Sequence, residues 1–207
     1  MDRGKFITVE GGEGVGKSTN IELICDLIAR DGHAVLRTRE PGGTPMAERI
    51  RAMLLEHGDE PLPEQAELLL FFAARSLHIS NVIRPALDAG TWVVCDRFTD
   101  STRAYQGGGR CMDSARIETL AEWVHWGFRP DLTILLDAPP AVGMGRAEKR
   151  GDADRLETEQ AAFHARVRAA YLRQAALEPL RFAIVDASRP LAGVQADIER
   201  AMRRILN

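Results

Sequence analysis

The chain has 207 residues, of which 45% are hydrophobic and 28% charged, the composition of a soluble globular protein. At this length a chain buries about 70% of the surface it exposes when unfolded, so its core needs no disulfide or metal staple. The 27 basic and 30 acidic side chains leave a net charge of −3, which argues against a general nucleic-acid coat or a polybasic membrane anchor.

The apolar run Phe6–Val9 predicts a first strand, and a glycine-rich loop separates it from a helix over Ser18–Arg30. A second strand is expected over Ala34–Thr38, then helices near Met46–Glu56 and Glu64–Ile79. Pro63 is an entry signal for the latter helix, and Pro85 predicts its stop or a kink. Trp92–Cys95 reads as the third strand, Asp113–Trp126 as a helix and Leu132–Leu136 as the fourth strand. Helices over Ala141–Lys149 and Glu157–Leu177 precede a last strand, Phe182–Val185, and a closing helix, Leu191–Leu206. Strands alternating with helices imply an α/β fold, a five-stranded parallel sheet between two helical layers. No repeat, low-complexity tract or linker interrupts the pattern, so residues 1–207 read as one domain.

Three connections depart from the pattern. They are Arg39–Thr44 (REPGGT), Gln106–Arg110 (QGGGR, after a short helical stretch) and Arg146–Arg155 (RAEKRGDADR). Charged, glycine-bearing loops at the carboxyl ends of parallel strands are where such sheets bind ligands. The cysteines Cys25, Cys95 and Cys111 are odd in number and far apart, which fits free thiols in a reducing compartment. The opening MDRGKFITVEGG lacks the pattern of a secretory signal, and the longest apolar run, Leu68–Ala74, is too short to span a membrane. These features lead to the expectation of a soluble, cytoplasmic protein.

The segment Gly11–Ser18 (GGEGVGKS) matches G-x-x-x-x-G-K-[ST] between a predicted strand and helix, the context that gives this motif meaning. Its glycines let the backbone wrap a phosphate chain, and the free N–H groups of the helix start attract anions. Lys17 adds a point charge for the β- and γ-phosphates, and the Ser18 hydroxyl can ligate Mg²⁺. No N-K-x-D base reader is present, which sets GTPases aside. Asp96 ends an apolar strand where a Mg²⁺-organising carboxylate sits; Asp137 has the same form and reads as a capping carboxylate of a buried strand. The five histidines are scattered without zinc spacing. Arg39, Arg97, Arg146, Arg150 and Arg155 fall in the loops of one sheet edge, and arginine suits bidentate phosphate binding. Phe71 and Arg75 lie one turn apart on a helix face, an aromatic plate beside a planar donor fork.

Together, VEGGEGVGKST, TREPGGT, LLLFFAAR, DRFTDSTRAYQGGGR and RAEKRGDADR resemble bacterial thymidylate kinases, P-loop nucleoside monophosphate kinases, from about residue 5 to residue 172. The resemblance implies a P-loop fold with a lid over about residues 146–156, and the reaction ATP + dTMP → ADP + dTDP with Mg²⁺ as cofactor. It places ATP on Gly11, Gly12, Glu13, Gly14, Val15, Gly16, Lys17, Ser18 and Thr19, with Arg146. Glu13 also corresponds to the carboxylate that holds the deoxyribose 3′-OH. Arg39, Arg51 and Arg97, with Glu40 beside them, match positions around the dTMP phosphate. Phe71 matches the ring stacked on thymine and Arg75 the donor to its O4. Ser101, Thr102 and Gln106 match base-edge contacts, and Tyr105 the ring that crowds the sugar 2′ position. Lys17, Arg97 and Arg150 are the implied catalytic cations, and Ser18 and Asp96 the implied Mg²⁺ ligands. The family also implies a homodimer with no nucleic-acid or membrane partner. Two rival readings stand beside this one: a deoxynucleoside kinase, which would need a general base, and a nucleotide-dependent switch without phosphotransfer.

Overall fold

The computed structural model describes residues 3–56, 61–147 and 155–206. The strands are β1 (Phe6–Gly11), β2 (Val35–Arg39), β3 (Trp92–Asp96), β4 (Leu132–Asp137) and β5 (Phe182–Asp186). They form one five-stranded sheet in the order β2-β3-β1-β4-β5, and every pairing is parallel. Central β1 is buried along its whole length, as a strand covered on both faces must be. Ile7 and Val9 point to one layer, where they meet Ile21, Ile24 and Ile28 of α1 (Lys17–Arg30) and residues of the C-terminal helix. Phe6 packs on the opposite layer. The expected helix–sheet–helix architecture is therefore present.

Register decides where the chemistry can sit. Val9 and Arg39 both pair with Asp96, and Gly11 pairs with Leu136. The carboxyl ends of β1, β2 and β3 thus lie side by side, with the P-loop springing from β1.

Helices α2 (Pro45–Leu55) and α3 (Glu64–His78) stand above this edge. Thr44 caps α2 by accepting from Ala47 N at 3.1 Å, with Pro45 in the first turn. The helical path does not stop at Pro85. A π-helical turn, Ile79–Ile83, follows α3 and leads directly into α4 (Arg84–Asp88), with Pro85 in its first turn. Proline lacks an N–H and its ring crowds the preceding turn; a widened turn just ahead relieves both. The resulting 25-residue path, Glu64–Asp88, is long and apolar enough to cross a membrane by composition, yet half of its apolar stretch is buried in the fold. Its buried face carries Glu67, Arg75 and His78, so it is a core helix of the site.

After β3 come α5 (Thr99–Thr102) and a second π-helical turn, Arg103–Gly109. Gly107–Gly109, expected as loop, are helical. A Cβ on Gly108 would lie 2.6 Å from Ala170 Cβ, and one on Gly109 would lie 2.4 Å from the Phe163 ring. These glycines serve close packing rather than a turn. The remaining helices are α6 (Ser114–His125), α7 (Pro140–Ala147), α8 (Ala161–Leu177) and α9 (Leu191–Met202). Asp113 caps α6 through Ala115 N. Helix α8 begins at Ala161 rather than at Glu157, and turns occupy Arg155–Thr158 instead.

Candidate active site

A cavity of about 700 Å³ opens over the carboxyl ends of β1, β2 and β3. The P-loop forms its floor on one side. Gly16 holds a left-handed φ of 87° just before α1, a conformation that favours glycine, and this turns the loop into the helix start. Glu13, Gly14, Val15, Gly16, Lys17, Ser18 and Thr19 all line the cavity, whereas Gly11 and Gly12 lie behind it. Lys17 Nζ donates to the carbonyls of Gly12 at 2.8 Å and Gly11 at 3.4 Å. Burial, then the nearby Arg97 charge, lowers its pKa from the ordinary lysine value.

Arg97 follows β3 in a left-handed conformation, φ 67°, unusual for a side chain of this size. Its guanidinium donates to Glu13 Oε1 at 2.6 Å and to the Gly11 carbonyl at 2.9 Å, and it stacks over the Tyr105 ring at 4.9 Å. Tyr105 donates its hydroxyl to the same Glu13 oxygen at 2.5 Å. Burial works to raise the Glu13 pKa, but Arg97, then Lys17 and the Tyr105 hydrogen bond, outweigh it and hold the carboxyl at about 2.

The opposite wall comes from α3. Phe71 and Arg75 line the cavity together with Arg39, Glu40, Arg51, Ser101, Thr102 and Gln106. Arg75 is 2% exposed, so it must be paired. Its Nε donates to Glu40 Oε2 at 2.6 Å, and Glu40 Oε1 accepts from His78 Nδ1 at 3.0 Å. His78 Nε2 in turn faces the Thr38 hydroxyl at 2.7 Å. Arg75 Nη1 and Thr102 Oγ1 are buried in the cavity wall without a hydrogen-bond partner. Such orphans cost free energy unless a bound group satisfies them. Arg39 pairs with Glu48 at 2.8 Å, and Arg51 donates to the Pro41 carbonyl at 2.9 Å.

The comparisons with known proteins fall on this geometry. A profile of the thymidylate kinase family matches residues 9–198. The thymidylate kinase of Chromohalobacter salexigens is 58% identical over 200 residues, covering 96% of this chain and 94% of that protein. That of Pseudomonas fluorescens is 53% identical over 203 residues, covering 98% and 97%. The chain belongs to the thymidylate kinase family. A crystal structure of thymidylate kinase from Ehrlichia chaffeensis has the same fold, with a TM-score of 0.78 at 30% identity over 97% of this chain and 99% of that one.

Within this thymidylate kinase fold the residues suit a Mg²⁺–nucleotide complex. Asp96 Oδ1 is a buried acceptor with no partner, and the exposed Ser18 lines the same cavity. A hard cation held by one carboxylate, one hydroxyl, phosphate oxygens and water needs no more from the protein. Asp137 is engaged elsewhere: Arg168 grips it at 2.7 and 2.8 Å. Arg146 lines the cavity while donating to the Ala187 carbonyl at 2.9 Å. Arg155 is not among the cavity's lining residues; it donates to Glu67 at 2.5 Å and to the Leu54 carbonyl at 3.1 Å. Arg150 lies outside the described residues.

Two buried acids lie outside the residues expected from the sequence. Glu10, inside β1, accepts from Phe98 N at 2.7 Å, Ser101 Oγ at 2.6 Å and Tyr171 OH at 3.0 Å. Ser101, which also lines the cavity, gives its hydroxyl proton to this acid and keeps its oxygen as an acceptor. Glu67 accepts from Gln106 Nε2 at 2.8 Å. Glu67 is a carboxylate at a helix position the apolar period reserves for the core, and that clash was the available signal; Glu10 follows the apolar run Phe6–Val9 and carried none.

Proposed function

We propose that this cavity carries out the family's reaction, transfer of the γ-phosphoryl group of ATP to the phosphate of dTMP, giving ADP and dTDP. One observation carries the reading. A single cavity is lined both by a triphosphate-binding loop and by an aromatic plate with a buried, unpartnered arginine donor. A switch protein has no use for that second half.

The ATP phosphates lie along the P-loop N–H groups with Lys17 on the β- and γ-phosphates, and Arg146 flanks the nucleotide. Ser18 and Asp96 hold Mg²⁺, which neutralises charge on the triphosphate when bound. The dTMP base stacks on Phe71, with Arg75 as donor to O4 and Thr102 and Gln106 at the base edge. Tyr105 crowds the sugar, Glu13 faces its 3′-OH, and Arg39, Arg51 and Arg97 surround the 5′-phosphate. Glu40 positions Arg75 through their buried ion pair.

In the transfer a dTMP phosphate oxygen forms a bond to the γ-phosphorus, and the bond to the β,γ-bridging oxygen breaks. The acceptor phosphate has a second pKa of about 6, so it is largely dianionic at neutral pH and needs no base. The protein's work is to bring two polyanions together and offset their charge. Arg97 does so from the β3 end, and Arg150 is the second cation that the family resemblance assigns to this task. A deoxynucleoside kinase would need a base for its hydroxyl nucleophile. Glu13 is unsuited to that task, since a carboxylate held at about 2 accepts protons poorly at neutral pH.

The protein acts as a cytoplasmic homodimer in this reading. Exposed Leu69 on α3 and Trp123 on neighbouring α6 support a self-associating face, and sedimentation tests it. An ADP-coupled assay offering dTMP, dUMP, thymidine or no acceptor, with the product identified by chromatography, tests the activity. dTDP formed from dTMP supports the proposal; turnover with thymidine in place of dTMP overturns it.

A further inference from the structure

Glu67 is 1% exposed on the inner face of α3, one turn before Phe71. Three side chains converge on it: Gln106 Nε2 at 2.8 Å, Arg155 Nη2 at 2.5 Å and Arg110 Nη2 at 3.4 Å. Burial would raise its pKa, but the hydrogen bonds from Gln106 and Arg155, with the Arg110 charge, hold it below the ordinary carboxylate value. An ionised carboxylate only accepts hydrogen bonds. The Gln106 side chain must therefore present its NH₂ to Glu67, which turns its carbonyl oxygen the other way. That oxygen accepts no hydrogen bond among the described residues, and Gln106 lines the same cavity as Arg75.

We propose that Glu67 is a positioning residue for base selection: it sets the sense of the Gln106 amide so that the cavity offers an acceptor beside the Arg75 donor. Thymine carries an N3–H donor next to its O4 acceptor and complements that pair. Cytosine carries an N3 acceptor next to an amino donor and is mismatched at both positions. The inference rests on the proposed dTMP reading of this cavity, and it adds a residue that touches no substrate.

The test compares kcat/KM for dTMP and dCMP in the unaltered enzyme, Glu67→Gln and Glu67→Asp. The amide introduced by Glu67→Gln could donate as well as accept, so Gln106 would be free to turn over. The dTMP-to-dCMP ratio is expected to fall by about tenfold or more in Glu67→Gln, the equivalent of one hydrogen bond, and chiefly through KM. Glu67→Asp keeps an acceptor-only partner and should retain the ratio even where overall activity drops. A parallel loss on both substrates in Glu67→Gln, with the ratio unchanged, overturns the proposal. If the unaltered enzyme itself does not distinguish dTMP from dCMP, the base assignment fails instead. NMR of the unaltered protein supplies a second readout. The Gln106 side-chain NH₂ should exchange slowly with solvent both with and without dTMP; an NH₂ that changes partner when dTMP binds overturns the assignment.

Discussion

Arg97 and Glu13 meet at 2.6 Å, and the carboxylate oxygen that takes the guanidinium also takes the Tyr105 hydroxyl. This contact joins the loop after β3 to the interior of the P-loop, the two halves that must cooperate in phosphoryl transfer. Glu13→Gln leaves Arg97 with the neutral Gly11 carbonyl as its main anchor. Losing one charge-assisted hydrogen bond costs about 1.5–3 kcal/mol, so kcat/KM for dTMP should fall by roughly 10–10²-fold. Tyr105→Phe, which keeps the ion pair, should cost less, and steady-state kinetics on both variants checks the order.

Lys17→Ala should abolish most turnover while leaving the fold intact, because the hydrogen bonds Lys17 makes among the described residues go to loop carbonyls. Arg150→Ala should lower kcat far more than it raises either KM, the signature of a group that acts mainly in the transition state. Circular dichroism run beside the assay separates these outcomes from unfolding.

Glu10 gives stability a pH dependence of unusual sign. Burial, then the neighbouring Asp100 charge, outweighs the Ser101, Arg97 and Phe98 contacts and raises its pKa from 4.5 to about 7. The folded state therefore binds this proton more tightly than the unfolded chain does. Its contribution to stability is full below pH about 4.5 and declines as pH rises to about 7. Denaturant titrations of the unaltered protein and Glu10→Gln across that window should show the variant gaining relative stability with pH. A gap that stays constant contradicts the assignment.

Two glycine substitutions should act in opposite directions. Gly109→Ala drives a methyl into the Phe163 ring, and overpacking of this kind costs about 1–3 kcal/mol. Gly145→Ala, inside α7 with nothing within 4 Å of the new Cβ, should stabilise by about 0.5–1 kcal/mol. Thermal unfolding measures both.

The sheet was legible because each strand is a short apolar run bounded by turns, and the P-loop because its spacing is tied to one backbone geometry. Phe71 and Arg75 could be paired by helical period alone. What stayed hidden were contacts between residues distant in sequence. Nothing local to Glu10 announces that Ser101 and Tyr171 will bond to it. Nothing in RAEKRGDADR separates Arg146, which reaches the cavity wall, from Arg155, which anchors to Glu67. The glycines of QGGGR read as a loop because their reason for being small, the Phe163 and Ala170 side chains, lies far onward in the chain.

The central claim is that both nucleotides occupy one cavity, with their phosphates meeting between Lys17 and Arg97. The most direct measurement uses a single molecule bearing adenosine and thymidine joined through a phosphate chain. The account predicts that it inhibits competitively against ATP and also against dTMP, and that it binds more tightly than either. Competition with only one of the two, or with neither, would contradict it.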